Sequence, residues 1–125
     1  MEWTVEHDEE LGFVTVRTRG VFTTRDHLRM TEDVLSRDFW RPGTSVLFDH
    51  RALEFGAADL AVMRAASENH VAHDDRIGTG KAAVLMKAAA DFGRGRQFEM
   101  LSEGRISALV HIFLDEAEAI AWLLH

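Results

Sequence analysis

Apolar residues along this chain recur first at every second position and then at helical spacing, and the switching between these two periods predicts its elements. Trp3, Val5 and His7 alternate with Glu2, Thr4 and Glu6. After the polar break Asp8-Glu9-Glu10 and Gly12, a second alternating run covers Phe13 to Arg19. Two strands joined by a short turn fit this pattern. Beyond Gly20, Thr23 or Thr24 can cap a helix whose inward stripe is Leu28, Thr31, Val34 and Leu35, with Arg25, Arg29, Glu32 and Asp33 on its wet face. Pro42 and Gly43 interrupt it, and a short strand is expected from Ser45 to Asp49. A second helix is predicted from about Ala57 to Ala72, with Leu60, Met63, Ser67 and Val71 inward and Arg64, Glu68 and His70 nearer solvent. Past Gly78 and Gly80, Lys81 to Met86 is an apolar run of strand length, as a covered central strand requires. Phe92, Phe98 and Leu101 mark a third helix that ends at Gly104, and Gly93 and Gly95 weaken its start. Ile106, Ala108, Val110 and Ile112 alternate as a fifth strand. Asp115 with Glu118 forms a capping-box-like pair ahead of a last helix, with Ile120, Ala121 and Leu124 as its inner face.

Strands that alternate with helices imply largely parallel pairing, so the fold class is α/β: one domain over residues 1–125, with about five strands and about four helices. A chain of this size buries roughly two-thirds of its unfolded surface, enough for a core without staples. Composition narrows the function classes. A net charge of −7 repels phosphate backbones, which argues against nucleic acid as a partner. The absence of Cys excludes disulfides and thiolate chemistry. No apolar run approaches the roughly 20 residues of a membrane span. The start, Met-Glu-Trp-Thr-Val, lacks the basic and apolar stretches of a secretory signal, so cytoplasmic residence is expected.

The order and spacing of Leu47-Phe48-Asp49-His50-Arg51, Phe92-Gly93, Arg96-Gln97-Phe98-Glu99 and Glu118-Ala119-Ile120-Ala121-Trp122-Leu123 resemble the SpoIIAA-like family of STAS-type domains. These are relatives of the anti-sigma-factor antagonists and share a superfamily resemblance with lipid-carrying SEC14-type domains. The resemblance implies a small mixed sheet with helices mainly on one face, no cofactor, and regulatory binding rather than catalysis. Its best-understood members switch partners through a phosphorylated Ser at the start of the helix after strand three. Here that region reads Phe55-Gly56-Ala57-Ala58-Asp59-Leu60, with no hydroxyl and with Asp59 already supplying negative charge. The kinase-controlled switch therefore does not carry over.

Candidate chemistry concentrates where the third strand meets Asp49, His50 and Arg51, because open α/β folds bind ligands beyond the carboxyl ends of their strands. Arg96 is the expected visitor to that edge. Together the four could hold a small or lipophilic ligand. Alternatively, Asp49 and His50 could act as base and proton shuttle in a small hydrolase or isomerase, with Arg51 or Arg96 stabilising an anion. Against both stands a structural role for Asp49 and Arg51, since adjacent residues of an extended segment point to opposite sides. Trp40, on the Pro42 loop, is the candidate contact for a protein partner or a two-fold homodimer. His70 and His73, followed by Asp74-Asp75, have ligand-like spacing, but the sequence offers no identifiable third ligand and no metal is assigned. Gly93-Arg94-Gly95-Arg96 is a candidate anion loop or simply a glycine-softened helix start. Asp91-Phe92-Gly93 matches a kinase magnesium motif without the other kinase motifs and is coincidental.

Overall fold

Five strands form one sheet in the order β1-β2-β3-β4-β5, in a computed structural model that describes residues 1–56 and 58–125. In chain order the elements are β1 (Glu2–Asp8), β2 (Phe13–Val21), α1 (Thr24–Ser36), β3 (Ser45–Glu54), α2 (Leu60–Ala72), α3 (Asp74–Ile77), β4 (Lys81–Leu85), α4 (Ala89–Ser102), β5 (Leu109–Phe113) and α5 (Glu116–Leu124). β1 runs antiparallel to β2, and every later pair is parallel. The tight β1–β2 connection is closed by Gly12, at φ 83°, and by Asp8, whose side chain accepts from the Leu11 amide. The sheet is mixed, as the strand pattern predicts.

Topology decides where the helices lie. The chain steps from β2 to β3 to β4 to β5 in one direction, and crossovers of one hand then place their helices on one face of the sheet. α1, α2 and α4 occupy that face, and a buried contact between Ser67 Oγ and Ser102 Oγ, 2.7 Å apart, ties α2 to α4. α5 follows the last strand and folds back over the opposite face, where Ala119 and Leu123 pack on Phe13, Leu47, Ala83 and Leu85. The core is therefore two layers of side chains, a thick one under three helices and a thin one under α5. Among the described residues, no helix is long and apolar enough to cross a membrane.

Caps fall where the sequence places them for α1 and α5, and Asp59 is an unannounced cap for α2. Thr23, Asp59 and Asp115 accept from the amides of Asp26, Val62 and Ala117. The second helix, expected from about Ala57, begins at Leu60, and Ala57 itself lies outside the described residues. A one-turn helix, α3, which the polar run Asp74-Asp75-Arg76 does not announce, is an addition to the expected set. Three inward stripes are shifted from the expected phase. α1 buries Met30 rather than Leu28, α2 buries Ala66 while Leu60 stays exposed, and α5 buries Ala119 and Leu123 rather than Ala121 and Leu124. In α2 and α5 apolar residues flank the stripe on both sides, so periodicity leaves its phase open by one position, and in α1 Met30 and Leu28 border Val34 and Leu35 from opposite edges.

Candidate functional site

β3 does not end at Asp49. It runs on to Glu54 and carries a β-bulge at the ionisable cluster: Arg17 pairs with Asp49 and Arg19 with Ala52, so Thr18 on β2 faces both His50 and Arg51. The bulge leaves the Arg51 amide outside the regular ladder, and the Asp49 carboxylate accepts from it at 3.2 Å. That local hydrogen bond is the physical reason the strand continues through three ionisable residues instead of stopping. β4 leaves the ladder at Leu85, opposite Asp49, so the cluster still lies at a rim where one strand ends and its neighbour carries on.

The four residues grouped by sequence divide between three locations. Asp49 and Arg51 point toward α5. There the guanidinium donates to the carboxylate through Nε at 3.0 Å and Nη2 at 2.9 Å, and Nη2 also reaches Glu116 at 3.2 Å. Arg17 approaches Asp49 at 3.7 Å. The hydrogen bond from Arg51 holds the Asp49 carboxyl below the usual carboxylate range despite burial, and the same contact raises the Arg51 guanidinium. His50 points to the opposite face, under the three helices. Arg96 is on α4 and pairs with Glu99 at 3.0 Å, with no hydrogen bond or ion pair to Asp49, His50 or Arg51. An Asp49–His50 pair serving one substrate is thus not assembled, because alternation along the strand sends the two side chains to different layers.

What His50 faces is a cavity of about 120 Å³ between the sheet and α1, α2 and α4. Its floor includes Val46, Phe48, Val84 and Val110. Met30 and Val34 of α1, Met63 and Ala66 of α2 and Phe98 of α4 form its walls. Gly95 allows α4 to sit close to β5, since a Cβ there would stand only 3.1 Å from Ile112 Cδ1. After the bulge, Leu53 and Phe55 return to the same face as His50, and Phe55 stacks on Phe22 with ring centroids 5.5 Å apart. The bulge therefore supplies both an imidazole and an aromatic wall to the cavity.

Three imidazoles, His27, His50 and His70, interrupt the apolar lining. Burial pushes His27 down to about 3, helped by repulsion from His50 and His70, and pushes His50 down to about 4 against the opposing pull of Asp49. Burial also lowers His70. All three are neutral at pH 7. His27 lies over Phe22 at 5.5 Å and His50 meets Phe55 edge-on at 6.4 Å, so both flank the Phe22–Phe55 pair. Sequence reading puts His70 nearer solvent and passes over His27. Yet His27 leads the series Met30, Thr31, Val34 at helical spacing, and His70 completes Met63, Ala66, Ser67. Extending each stripe by one turn finds both.

The remaining candidates have partners of other kinds. Trp40 is only 8% exposed, and its Nε1 donates to the Arg76 carbonyl at 2.8 Å; it closes the core beside Val34, Leu35 and Val46 and offers no face to a partner. His73 binds Glu32 at 2.6 Å, Asp74 holds Ser107, and His70 turns into the cavity, so the ligand-like spacing of that segment converges on no single point. Arg94 is occupied by Asp91 and by the Ala58 and Gly56 carbonyls. Asp59 uses its carboxylate to cap α2, at the helix start where the STAS resemblance implies a phosphate.

No family model matches the sequence, and no curated protein matches it. Among solved structures, the chain is similar to an uncharacterised protein of the DUF3478 family from Shewanella loihica PV-4, described as having a SpoIIAA-like fold. The two share 17% sequence identity and a TM-score of 0.63, over 98% of this chain and 92% of that one. That likeness, together with the mixed five-stranded sheet and its unequal helical layers, shows that the chain has a SpoIIAA-like, STAS-like fold.

Proposed function

We propose that the protein is a cytoplasmic, non-catalytic binding module that holds a small lipophilic ligand between the sheet and α1, α2 and α4. The cavity carries this reading: about 120 Å³ of space, bounded almost entirely by carbon. Engineered cavities near 150 Å³ with comparable aliphatic and aromatic walls stay dry and take up benzene. The site differs from the strand-end cleft expected of Asp49, Arg51 and Arg96 but keeps His50. The split of Asp49 and His50 between two layers weighs against the hydrolase or isomerase alternative, whose base and shuttle must meet at one substrate. A protein partner or second copy would have to use a surface other than Trp40.

Native mass spectrometry of protein purified from its own cytoplasm, paired with thermal unfolding in the presence of small apolar compounds, tests the reading. A ligand at about a hundred times its Kd adds about 2.7 kcal/mol of stability. For a domain of this length that raises Tm by on the order of 10 °C. Repeated absence of both a bound mass and any rise across an apolar panel removes the proposal.

A further inference from the structure

We infer that the cavity ligand carries a hydroxyl head group, which accepts a hydrogen bond from His27 Nε2 and donates one to His50 Nε2. The inference rests on the binding reading above and adds the chemistry that selects the ligand.

The two tautomers follow from neighbours outside the cavity. Thr31 Oγ1 donates to the His27 carbonyl at 2.9 Å, so it can only accept from Asn69 Nδ2, which stands 3.0 Å away. This fixes the amide's orientation and aims its other N–H at His27 Nδ1, also at 3.0 Å. A neutral His27 whose Nδ1 accepts must carry its proton on Nε2. Asn69 Oδ1 is left buried without a partner among the described residues.

At His50 the order is reversed. Thr18 Oγ1 stands 2.6 Å from His50 Nδ1 and 3.3 Å from the Asp49 carbonyl, which can only accept. Both contacts are satisfied when Nδ1–H donates to the hydroxyl and the hydroxyl donates to the carbonyl. His50 Nε2 then holds a lone pair. Neither His27 Nε2 nor His50 Nε2 makes a hydrogen bond to any described residue, and both rings line the cavity beside the Phe22–Phe55 pair. His70 lines the same cavity, but its ring lies against Phe98 and its buried Nε2 presents neither donor nor acceptor to the space.

One donor and one acceptor in an apolar chamber select for a group that offers the complement of both. A hydroxyl does. An ether can accept from His27 but leaves His50 unpaired, a hydrocarbon leaves both unpaired, and a carboxylate brings two acceptors to a site with one donor. Buried polar groups deprived of partners are what reject such analogues.

The probes are 1-butanol, its isomer methyl propyl ether, and butanoate at pH 8, each close to benzene in volume and so matched to about 120 Å³, titrated into the 125-residue protein by calorimetry. Wild type should bind butanol at least tenfold more tightly than the ether and than butanoate. His50→Phe should erase the preference for butanol over the ether while leaving ether binding within about twofold. A readout independent of the variant's folding is the imidazole ¹⁵N spectrum of wild type: butanol should move both His27 Nε2 and His50 Nε2, and the ether only His27 Nε2. Equal binding of alcohol and ether, tighter binding of butanoate, or a His50 Nε2 resonance unmoved by bound butanol overturns the head-group assignment while the lipophilic site stands. Failure of all three probes to bind removes the site itself.

Discussion

Replacing Ala66 with Leu tests whether the space beneath the helices is real. Ala66 sits in the middle of α2, is buried, and borders the cavity. Leu adds three carbons, and each buried methylene is worth about 0.8 kcal/mol, for a gain of about 2.4 kcal/mol if they fill empty volume. Ordering the longer side chain takes back about 0.5–1 kcal/mol. The backbone contributes little, because Ala and Leu are both strong helix formers. The net expectation is a stabilisation of about 1.5 kcal/mol. In a filled interior the same three carbons would overpack the core and cost about 1–3 kcal/mol, so the sign of the change decides the matter. Urea unfolding reads it directly: at unchanged m, the midpoint should rise by about 0.5–1 M. Affinity for 1-butanol should fall at least tenfold in the same variant, since side chain and ligand compete for one volume. A lowered midpoint refutes the cavity. A raised midpoint with undiminished butanol binding refutes its role as the binding site.

Three further outcomes follow from other parts of the structure. Gly78→Ala should destabilise the fold by about 2–4 kcal/mol in urea unfolding, because Gly78 has φ +79° and a Cβ there would meet the Gly43 backbone nitrogen at 2.4 Å; a loss under 1 kcal/mol contradicts that close approach. Asp49→Asn should cost about 1–3 kcal/mol at pH 7 by removing the charged partner of Arg51. Because the folded-state pKa of Asp49 is lowered, its contribution is present above the unfolded value of 3.8 and disappears as pH falls through the folded value, so the wild-type advantage should vanish in acid. The lowered values of His27 and His50 make the unfolded chain take up protons first. Stability should therefore drop by a few kcal/mol as pH falls from 6.5 toward 4, and His50→Phe should flatten part of that slope in urea titrations at each pH. A slope identical in variant and wild type would show that His50 is not buried neutral.

Much of the architecture was legible because strand and helix periods differ and because caps are short-range. The alternation at Trp3, Val5 and His7, the apolar run from Lys81, and the capping side chains of Thr23 and Asp115 each act within one or two turns of themselves. Helix phase was less legible. In α5 five apolar residues stand in a row from Ile120 to Leu124, so any of several stripes could face the sheet. The surface of Ala83 and Leu85 selected the one with small Ala119 at the closest approach.

The sequence by itself determined the α/β order, the acidic, cysteine-free composition, and the presence of Asp49, His50 and Arg51 at one point on the third strand. Only the tertiary structure decided what they do. Alternation along β3 sent Asp49 and Arg51 to one layer and His50 to the other, and pairing with a β2 that is one residue shorter across the same span forced the bulge that returned Leu53 and Phe55 to the face of His50. Register is a property of two strands together, so no reading of one segment could supply it. The same holds for the cavity, which exists because three helices meet over one face without filling the space between them.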